Sequence, residues 1–387
     1  MIDAHVLIVG GGGTGGALAH DLALRGLKVT LVERGEFTSG TTGRHHGLLH
    51  SGARYAVNDP ESAVECIEEN GILRRIAPGS FEENDGLFVA VTDEDMDYLP
   101  AFLEGCERTG IPAKRLTRDE ALRLEPNLNP ELKTAVRVPD ATMDAMRMPL
   151  RFFATARSNG AELLNHVEVT ELIVRDGSVL GVAVRDHVTG REAEIGADVV
   201  VNATGPWSES IARMAGVDVP IRPSPGVMLA VRGRLCNMVL NRLHASGDGD
   251  IVVPQRALSI VGTSSWVVDD PDDLDVPEEH LRRMWEEGEK LVPAIRGATF
   301  RAAWSAARPL IGTREADSGR ELSRTFKTID HAEEGVGGFV TITGGKATTL
   351  RGMAEVCADV VCRKLGVDEP SRTRTTVLLS HLAAFAA

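Results

Sequence analysis

The tightest constraint on this chain lies near its N-terminus, where the apolar run His5 to Val9 enters Gly10-Gly11-Gly12-Gly13-Thr14-Gly15 and continues into a helical pattern closed by Gly26. Residues 28–33 then read as a second strand ending in Glu33. Strand, glycine turn, helix and strand make a β-α-β unit, with G-x-G-x-x-G at the turn. Gly10 makes the turn, Gly12 lets a pyrophosphate approach the backbone, and Gly15 lets the helix pack close to the strand. The helix N-terminus offers its unpaired N–H groups to the anion. Glu33 is placed to accept hydrogen bonds from ribose hydroxyls, and its charge disfavours a phosphorylated ribose. The segment predicts an adenine-dinucleotide site and leaves the dinucleotide open.

The same logic recurs near the C-terminus. An apolar strand over residues 339–343 leads into Gly344-Gly345-Lys346-Ala347-Thr348-Thr349 and a helix over 348–365. A second helix N-terminus facing the far end of the cofactor would stabilise negative charge on a reduced ring, which suits a flavin and not a nicotinamide. Residues 38–55, rich in Gly, Thr and His without periodicity, read as a functional loop entering a helix over 60–76. A strand is expected over 86–91, helix over 93–124 and again over 143–159, and a hairpin-rich meander over 161–198 with turns at Asp176-Gly177 and Thr189-Gly190. An apolar strand over 199–201 ends in NATGPW, and short strands dominate residues 219–263. The acidic stretch 269–279 reads as a solvated loop and helix start, not as part of a site.

At 387 residues the chain exceeds what one hydrophobic core spans, so two interwoven domains are expected. Its net charge of −14 and lack of a basic run argue against a nucleic-acid partner, while a local arginine pocket for an anionic substrate remains compatible. The five cysteines form no C-x-x-C pair, which points to reduced thiols in a cytoplasm. The opening MIDAHVLIVG has no basic leader, and no apolar stretch approaches the roughly 20 residues of a spanning helix, so membrane contact is expected to be peripheral at most. His45, His46 and His50 cluster without a carboxylate or cysteine pattern, so no metal is expected and polar contacts to cofactor and substrate are. Arg54, Arg308 and Lys346 come from distant segments and would form an anion pocket if the fold brings them together. Met143, Met146 and Met148 read as helix packing, and Cys357 and Cys362 as small core residues.

The segments IVGGGGTGG, TTGRHHGLLHSGARYAVNDPESAVECIEENGILRRIA, VVVNATGPW, RPLIGT and TITGGKATT resemble the FAD-dependent glycerol-3-phosphate dehydrogenases of the D-amino-acid-oxidase-like superfamily, most of all the catalytic subunit of the anaerobic enzyme. The likeness runs over residues 6–365, and its most specific part is TTGRHHGLLHSGARY. It implies an α/β fold with a glutathione-reductase-type, Rossmann-like FAD-binding domain over 1–80, 140–216 and 326–370, an antiparallel-sheet substrate domain over 81–139 and 217–325, and a tail over 371–387. It implies FAD held by Gly10, Gly12, Thr14, Gly15, Glu33, Arg34, Thr41, Thr42, His46 and Gly47, with backbone from Val169, Ala203 and Gly205. Gly344, Gly345, Lys346 and Thr348 would lie beside the isoalloxazine.

By the same resemblance, His50, Arg54, Arg308 and Lys346 would line the pocket of a small anionic alcohol, the cations on its anionic end. The alcohol proton needs an acceptor, and His50 is the candidate for it. The implied reaction oxidises the secondary alcohol of sn-glycerol 3-phosphate to the ketone by hydride transfer to flavin N5. Electrons would pass on to a quinone, a partner protein or oxygen, in the cytoplasm or peripherally at the inner membrane face. The sequence departs from the family at Pro225-Gly226-Val227, where Lys-Gly-Ser is usual, at Ala306 and Ala307 in place of Gly-Val, and at Leu350 in place of Tyr; the family's cysteine-rich C-terminal extension is also missing. A pocket with fewer polar groups leaves open an FAD-dependent 2-hydroxy-acid dehydrogenase or oxidase, similar to the L-2-hydroxyglutarate enzymes. Other classes of reading are a non-catalytic FAD-binding electron-transfer subunit, which would not bleach with any alcohol, and a nicotinamide enzyme, which would be colourless.

Overall fold

A computed structural model describes residues 4–245, 247–312 and 325–384. The expected unit forms as β1 (His5–Val9), α1 (Gly13–Leu24) and β2 (Lys28–Val32). Side chains alternate across a strand, and β1 uses both faces: Val6 and Ile8 enter one core, Leu7 and Val9 another. A strand buried on both faces belongs in the middle of a parallel sheet, and β1 lies between β2 and Val199–Asn202. The six-stranded order runs Phe326–Asp330, Phe339–Gly344, Val199–Asn202, β1, β2, Glu162–Leu164, parallel except at the first pair.

α1, Arg147–Ser158 and Leu350–Leu365 share the core on one face. The other face is covered by the meander Val167–Arg175, Ser178–Asp186, Glu192–Gly196 and the helix Ser208–Met214. Its first hairpin turns at Asp176 and Gly177, both at positive φ, as an Asp-Gly turn requires.

The second large sheet has eight strands in the order Phe300–Ile311, Ile221–Arg232, Leu258–Gly262, Ile251–Gln255, Val239–Arg242, Gly86–Ala90, Thr134–Val138, Lys114–Thr117. It is antiparallel except between Val239–Arg242 and Gly86–Ala90.

Three local expectations are corrected. The stretch 93–124 is not one helix but Asp93–Arg108, a strand and Arg118–Leu124, each helix opened by its own capping box, Thr92 with Asp95 and Thr117 with Glu120. The helix expected from residue 143 begins at Arg147, because Asp144 accepts the N–H groups of Met146 and Arg147 and caps it there, while Ala141–Met143 is a short strand. The short strands expected over 219–263 begin with the twelve-residue Ile221–Arg232, which pairs along its length with Phe300–Ile311. Thr313 of the RPLIGT segment, and the parts of the expected units over 1–3, 313–324 and 385–387, lie outside the described residues.

Residues 371–384 run against the helices of the first core, tied by Arg351 to the Thr373 hydroxyl and by Arg151 to the Leu378 carbonyl. All five cysteines are buried and unbridged. Among the described residues no helix is long and apolar enough to cross a membrane.

Candidate active site

A cavity of about 640 Å³ runs from Glu33 and Val169 past the glycine turn and Ala203–Gly205 to Gly344, Lys346, Arg54 and Arg308. That volume is in the range of small-molecule sites. Of the residues expected at the site, Gly10, Gly12, Thr14, Glu33, Arg34, Thr41, Thr42, His46, His50, Arg54, Val169, Ala203, Gly205, Arg308, Gly344, Gly345, Lys346 and Thr348 line it. Gly15 and Gly47 do not. Gly15 serves packing, since a Cβ there would sit 2.0 Å from the Gly10 carbonyl oxygen. Gly47, at φ +84°, is a turn residue wedged against Gln255 and the Met143 carbonyl.

At the glycine-rich end the site is built of backbone. Gly10 stands at φ +111°, and a Cβ there would lie 2.7 Å from the Ala203 oxygen. The Glu33 carboxylate accepts the N–H groups of Gly11 and Gly35, both at 2.7 Å, and each oxygen keeps a further acceptor site for a ribose hydroxyl. Thr42 Oγ1 accepts the Gly13 N–H at 2.9 Å, and the Thr41 hydroxyl donates to the Ala307 carbonyl at 2.6 Å. The Arg34 guanidinium lies 4.6 Å over the Trp207 ring, and both donate to Asp272 at 3.1 Å. The acidic stretch is therefore not wholly solvated: Asp270, Pro271, Asp272 and Leu274 line the cavity. No spacing in the sequence signals this, because the stretch is brought there by pairing with Arg34 and Trp207.

At the other end, Gly344 and Gly345 turn at φ +88° and +74°, and a single 3-10 turn, Ala347–Thr349, precedes the helix, which starts at Leu350 and not at residue 348. Lys346 Nζ donates to Ser62 Oγ at 3.0 Å and lies 5.2 Å from the Tyr55 ring centre and 3.8 Å from Glu65. Arg54 forms a short pair with Asp250, at 2.7 and 2.8 Å to its two oxygens, and also donates to the Gly247 carbonyl. Burial alone would raise Asp250, but Arg54 and the neighbouring donors outweigh it and hold the carboxyl below its ordinary range. Arg308 donates to the carbonyls of Ser224, Pro225 and Ser264 and to the Thr263 hydroxyl.

His46 is pushed well below the ordinary histidine value by burial and by the neighbouring His45, His50, Arg308 and Arg54, which meet around it. Burial lowers His45 to about 4. Both accept backbone N–H groups of their own loop on Nδ1, and the His45 and His50 rings each lie 6.2 Å from the His46 ring. No group of three metal-ligating side chains is found among the described residues. Sequence reasoning singled out no role for Tyr55, although it closes the segment TTGRHHGLLHSGARY, and it missed Asp250 and Thr263, which carry no local motif.

The fold thus brings Arg54, Arg308 and Lys346 together with His50 at the end of a glycine-lined cavity. The pattern of the FAD dependent oxidoreductase family matches residues 5–360, and the chain belongs to that family. Among its relatives, a subunit of the anaerobic glycerol-3-phosphate dehydrogenase of Escherichia coli (strain K12) is 44% identical over 378 residues, which cover 97% of this chain and 70% of that protein. The corresponding anaerobic glycerol-3-phosphate dehydrogenase protein of Haloferax volcanii is 46% identical over 385 residues, 95% of this chain and 65% of that protein. Among solved structures, the glycerol-3-phosphate dehydrogenase from Bacillus halodurans complexed with FAD matches with a TM-score of 0.75 at 25% identity, covering 97% of this chain and 67% of that one. Glycine oxidase from Geobacillus kaustophilus shares the fold, with a TM-score of 0.76 at 22% identity over 97% of this chain and 99% of that one.

The residues present fit FAD: side-chain-free backbone at Gly10 and Gly12 for the pyrophosphate, an acid at the ribose end, and a second glycine turn before a helix where the ring would lie.

Proposed function

We propose that this protein oxidises the secondary alcohol of sn-glycerol 3-phosphate, or a closely related small anionic alcohol, to the ketone, and passes the electrons to a quinone, a partner protein or oxygen. The observation that carries this reading is the convergence of Arg54, Arg308 and Lys346 with His50 beside the turn at Gly344–Thr348. The names of relatives 44% and 46% identical to this chain support it. FAD, when bound, supplies the acceptor for the hydride that leaves the carbinol carbon. Gly10, Gly12, Thr14, Glu33, Arg34, Thr42, Val169, Ala203 and Gly205 would hold its dinucleotide part, and Gly344, Gly345, Lys346 and Thr348 its ring.

Arg308 and Lys346 hold the anionic end of the substrate, and Arg54, anchored by Asp250, fixes the wall they share. His50 takes the proton from the alcohol oxygen as the C–H bond breaks. Burial keeps His46 neutral, so it shapes the pocket without adding charge. We assign the strands of the eight-stranded sheet to the substrate-covering unit and those of the six-stranded sheet to the FAD-binding unit.

The test is anaerobic titration of the yellow holoprotein, following flavin absorbance. Bleaching by sn-glycerol 3-phosphate at micromolar to millimolar concentration is expected. Bleaching by a 2-hydroxy acid alone would move the assignment to that class, and no bleaching by any alcohol would leave an electron-transfer role.

A further inference from the structure

Resting on the reading of His50 as proton acceptor, a second question is what holds it in place. His50 lies between Gly47 and Gly52, which are both left-handed, at φ +84° and +93°. A short segment between two such residues takes its position from outside contacts: Leu48 and Leu49 pair with Thr142 and Ala141, and the contacts that follow fall on the main chain of His50 itself. Its N–H donates to Thr348 Oγ1 at 3.1 Å, its carbonyl accepts from Asn70 Nδ2 at 3.0 Å, and the next amide, Ser51 N–H, donates to Asp140 Oδ1 at 2.7 Å.

Asn70 belongs to α2 (Pro60–Ile76). Its Nδ2 also donates to the Pro139 carbonyl at 3.2 Å, and its Oδ1 accepts from Arg74 Nε at 2.7 Å, so the network fixes which way the amide faces. Arg74 donates in turn to the carbonyls of Pro139 and Asp140. Asn70, Ser51 and Asp140 are all buried. The histidine loop, α2 and residues 139–140 are thereby locked together around one peptide unit.

We propose that Asn70 and Asp140 are positioning residues for the oxidation: they clamp the His50–Ser51 peptide against Thr348, so that the imidazole stays within reach of the alcohol hydroxyl beside the glycine turn of the last helix. A proton acceptor works only within hydrogen-bond reach, and the clamp fixes the backbone position from which the imidazole extends.

The test uses FAD-loaded Asn70→Ala and Asn70→Asp. The second keeps the acceptor for Arg74 and removes the donors to His50 and Pro139. Three quantities are measured: FAD content, the limiting rate and substrate Kd of anaerobic flavin bleaching by sn-glycerol 3-phosphate, and amide hydrogen exchange over residues 48–56. Both variants should bind FAD with the wild-type spectrum and keep Kd within about threefold, while the limiting rate falls ~100-fold, the cost of a displacement of about 1 Å, and exchange at Ser51 rises. Asp140→Asn, whose Oδ1 still accepts from Ser51, should lie between wild type and these.

A limiting rate unchanged in Asn70→Asp overturns the proposal, and so does a rate that falls only in proportion to lost FAD. If Asn70→Ala does not fold, the isosteric Asn70→Asp decides. His50→Gln is run alongside. If it bleaches at the wild-type rate, the proton-acceptor reading falls and the clamp with it; if it is slow while the Asn70 variants are fast, only the clamp falls.

Discussion

Gly226 is the floor on which Arg308 rests. A Cβ built there would lie 2.4 Å from Arg308 Nη2 and 2.6 Å from the Ser264 carbonyl oxygen, and the guanidinium would have to retreat about 1 Å to reach ordinary contact at 3.4 Å. Gly226→Ala therefore keeps the positive charge but moves it. For a guanidinium with the substrate-holding role proposed above, a shift of that size is expected to lower kcat/KM by ~100-fold, about 2.7 kcal/mol of lost transition-state stabilisation. Most of the loss should appear in KM, because the anionic end is bound before and during reaction. FAD content should not change, since the nearest neighbours of Gly226 are Arg308 and Ser264 and not the glycine turns. The assay is steady-state kinetics on FAD-replete enzyme, repeated in an Arg308→Ala background. There the alanine at 226 should cost clearly less than in the wild type, because only its contact with the Ser264 carbonyl remains. An unchanged kcat/KM in the single variant, or an equal loss in both backgrounds, would refute the argument.

Three further outcomes are expected. Gly15→Ala should give protein without yellow colour that does not take up added FAD, because the new Cβ meets the Gly10 oxygen at 2.0 Å and displaces the pyrophosphate turn; retention of FAD would contradict this. His20, buried on α1 with both ring nitrogens lacking a partner among the described residues, is lowered by burial from 6.5 to about 4. The folded state thus binds this proton less readily than the unfolded chain, so stability is full above pH 6.5 and declines as pH falls toward 4, by about 2 kcal/mol at pH 5. His20→Phe should remove that decline, and urea midpoints of variant and wild type that fall in parallel from pH 7 to pH 5 would disprove it. Asp272→Ala should speed FAD release, read from the fluorescence rise on dilution, by no more than about fivefold, because Arg34 and Asp272 form a half-exposed pair worth under about 1 kcal/mol; an unchanged rate would show that the pairing of Asp272 with Arg34 and Trp207 does not hold the cofactor.

The parts of this molecule legible in the sequence are those whose determinants are local. The β1-α1-β2 unit and the Gly344–Gly345 turn are written in consecutive residues, because their function depends on the absence of side chains at fixed steps. The break in residues 93–124 was also legible, since Thr92–Asp95 and Thr117–Glu120 have the capping-box spacing, but the helical pattern on either side masked them. The pairing of Ile221–Arg232 with Phe300–Ile311 was not, because it joins segments far apart in the chain and neither carries an alternating polar face. The same holds for Asp250 under Arg54 and Asp272 under Arg34, each a single acid among many.

The departures at residues 225–227, 306–307 and 350 bear differently on the two ends of the cavity. Pro225 contributes its carbonyl oxygen to Arg308, and Ala307 contributes its carbonyl oxygen to Thr41. Both contacts survive any side chain that leaves the strand in register, so losing a cation and a hydroxyl there does not loosen the Arg308 guanidinium. Leu350 adds an apolar side chain at the helix start, where it lines the cavity beside the first glycine turn. Substrate choice should then follow the space above Gly226 and the reach of Arg308, and replacing Pro225 or Ala307 alone should change it little.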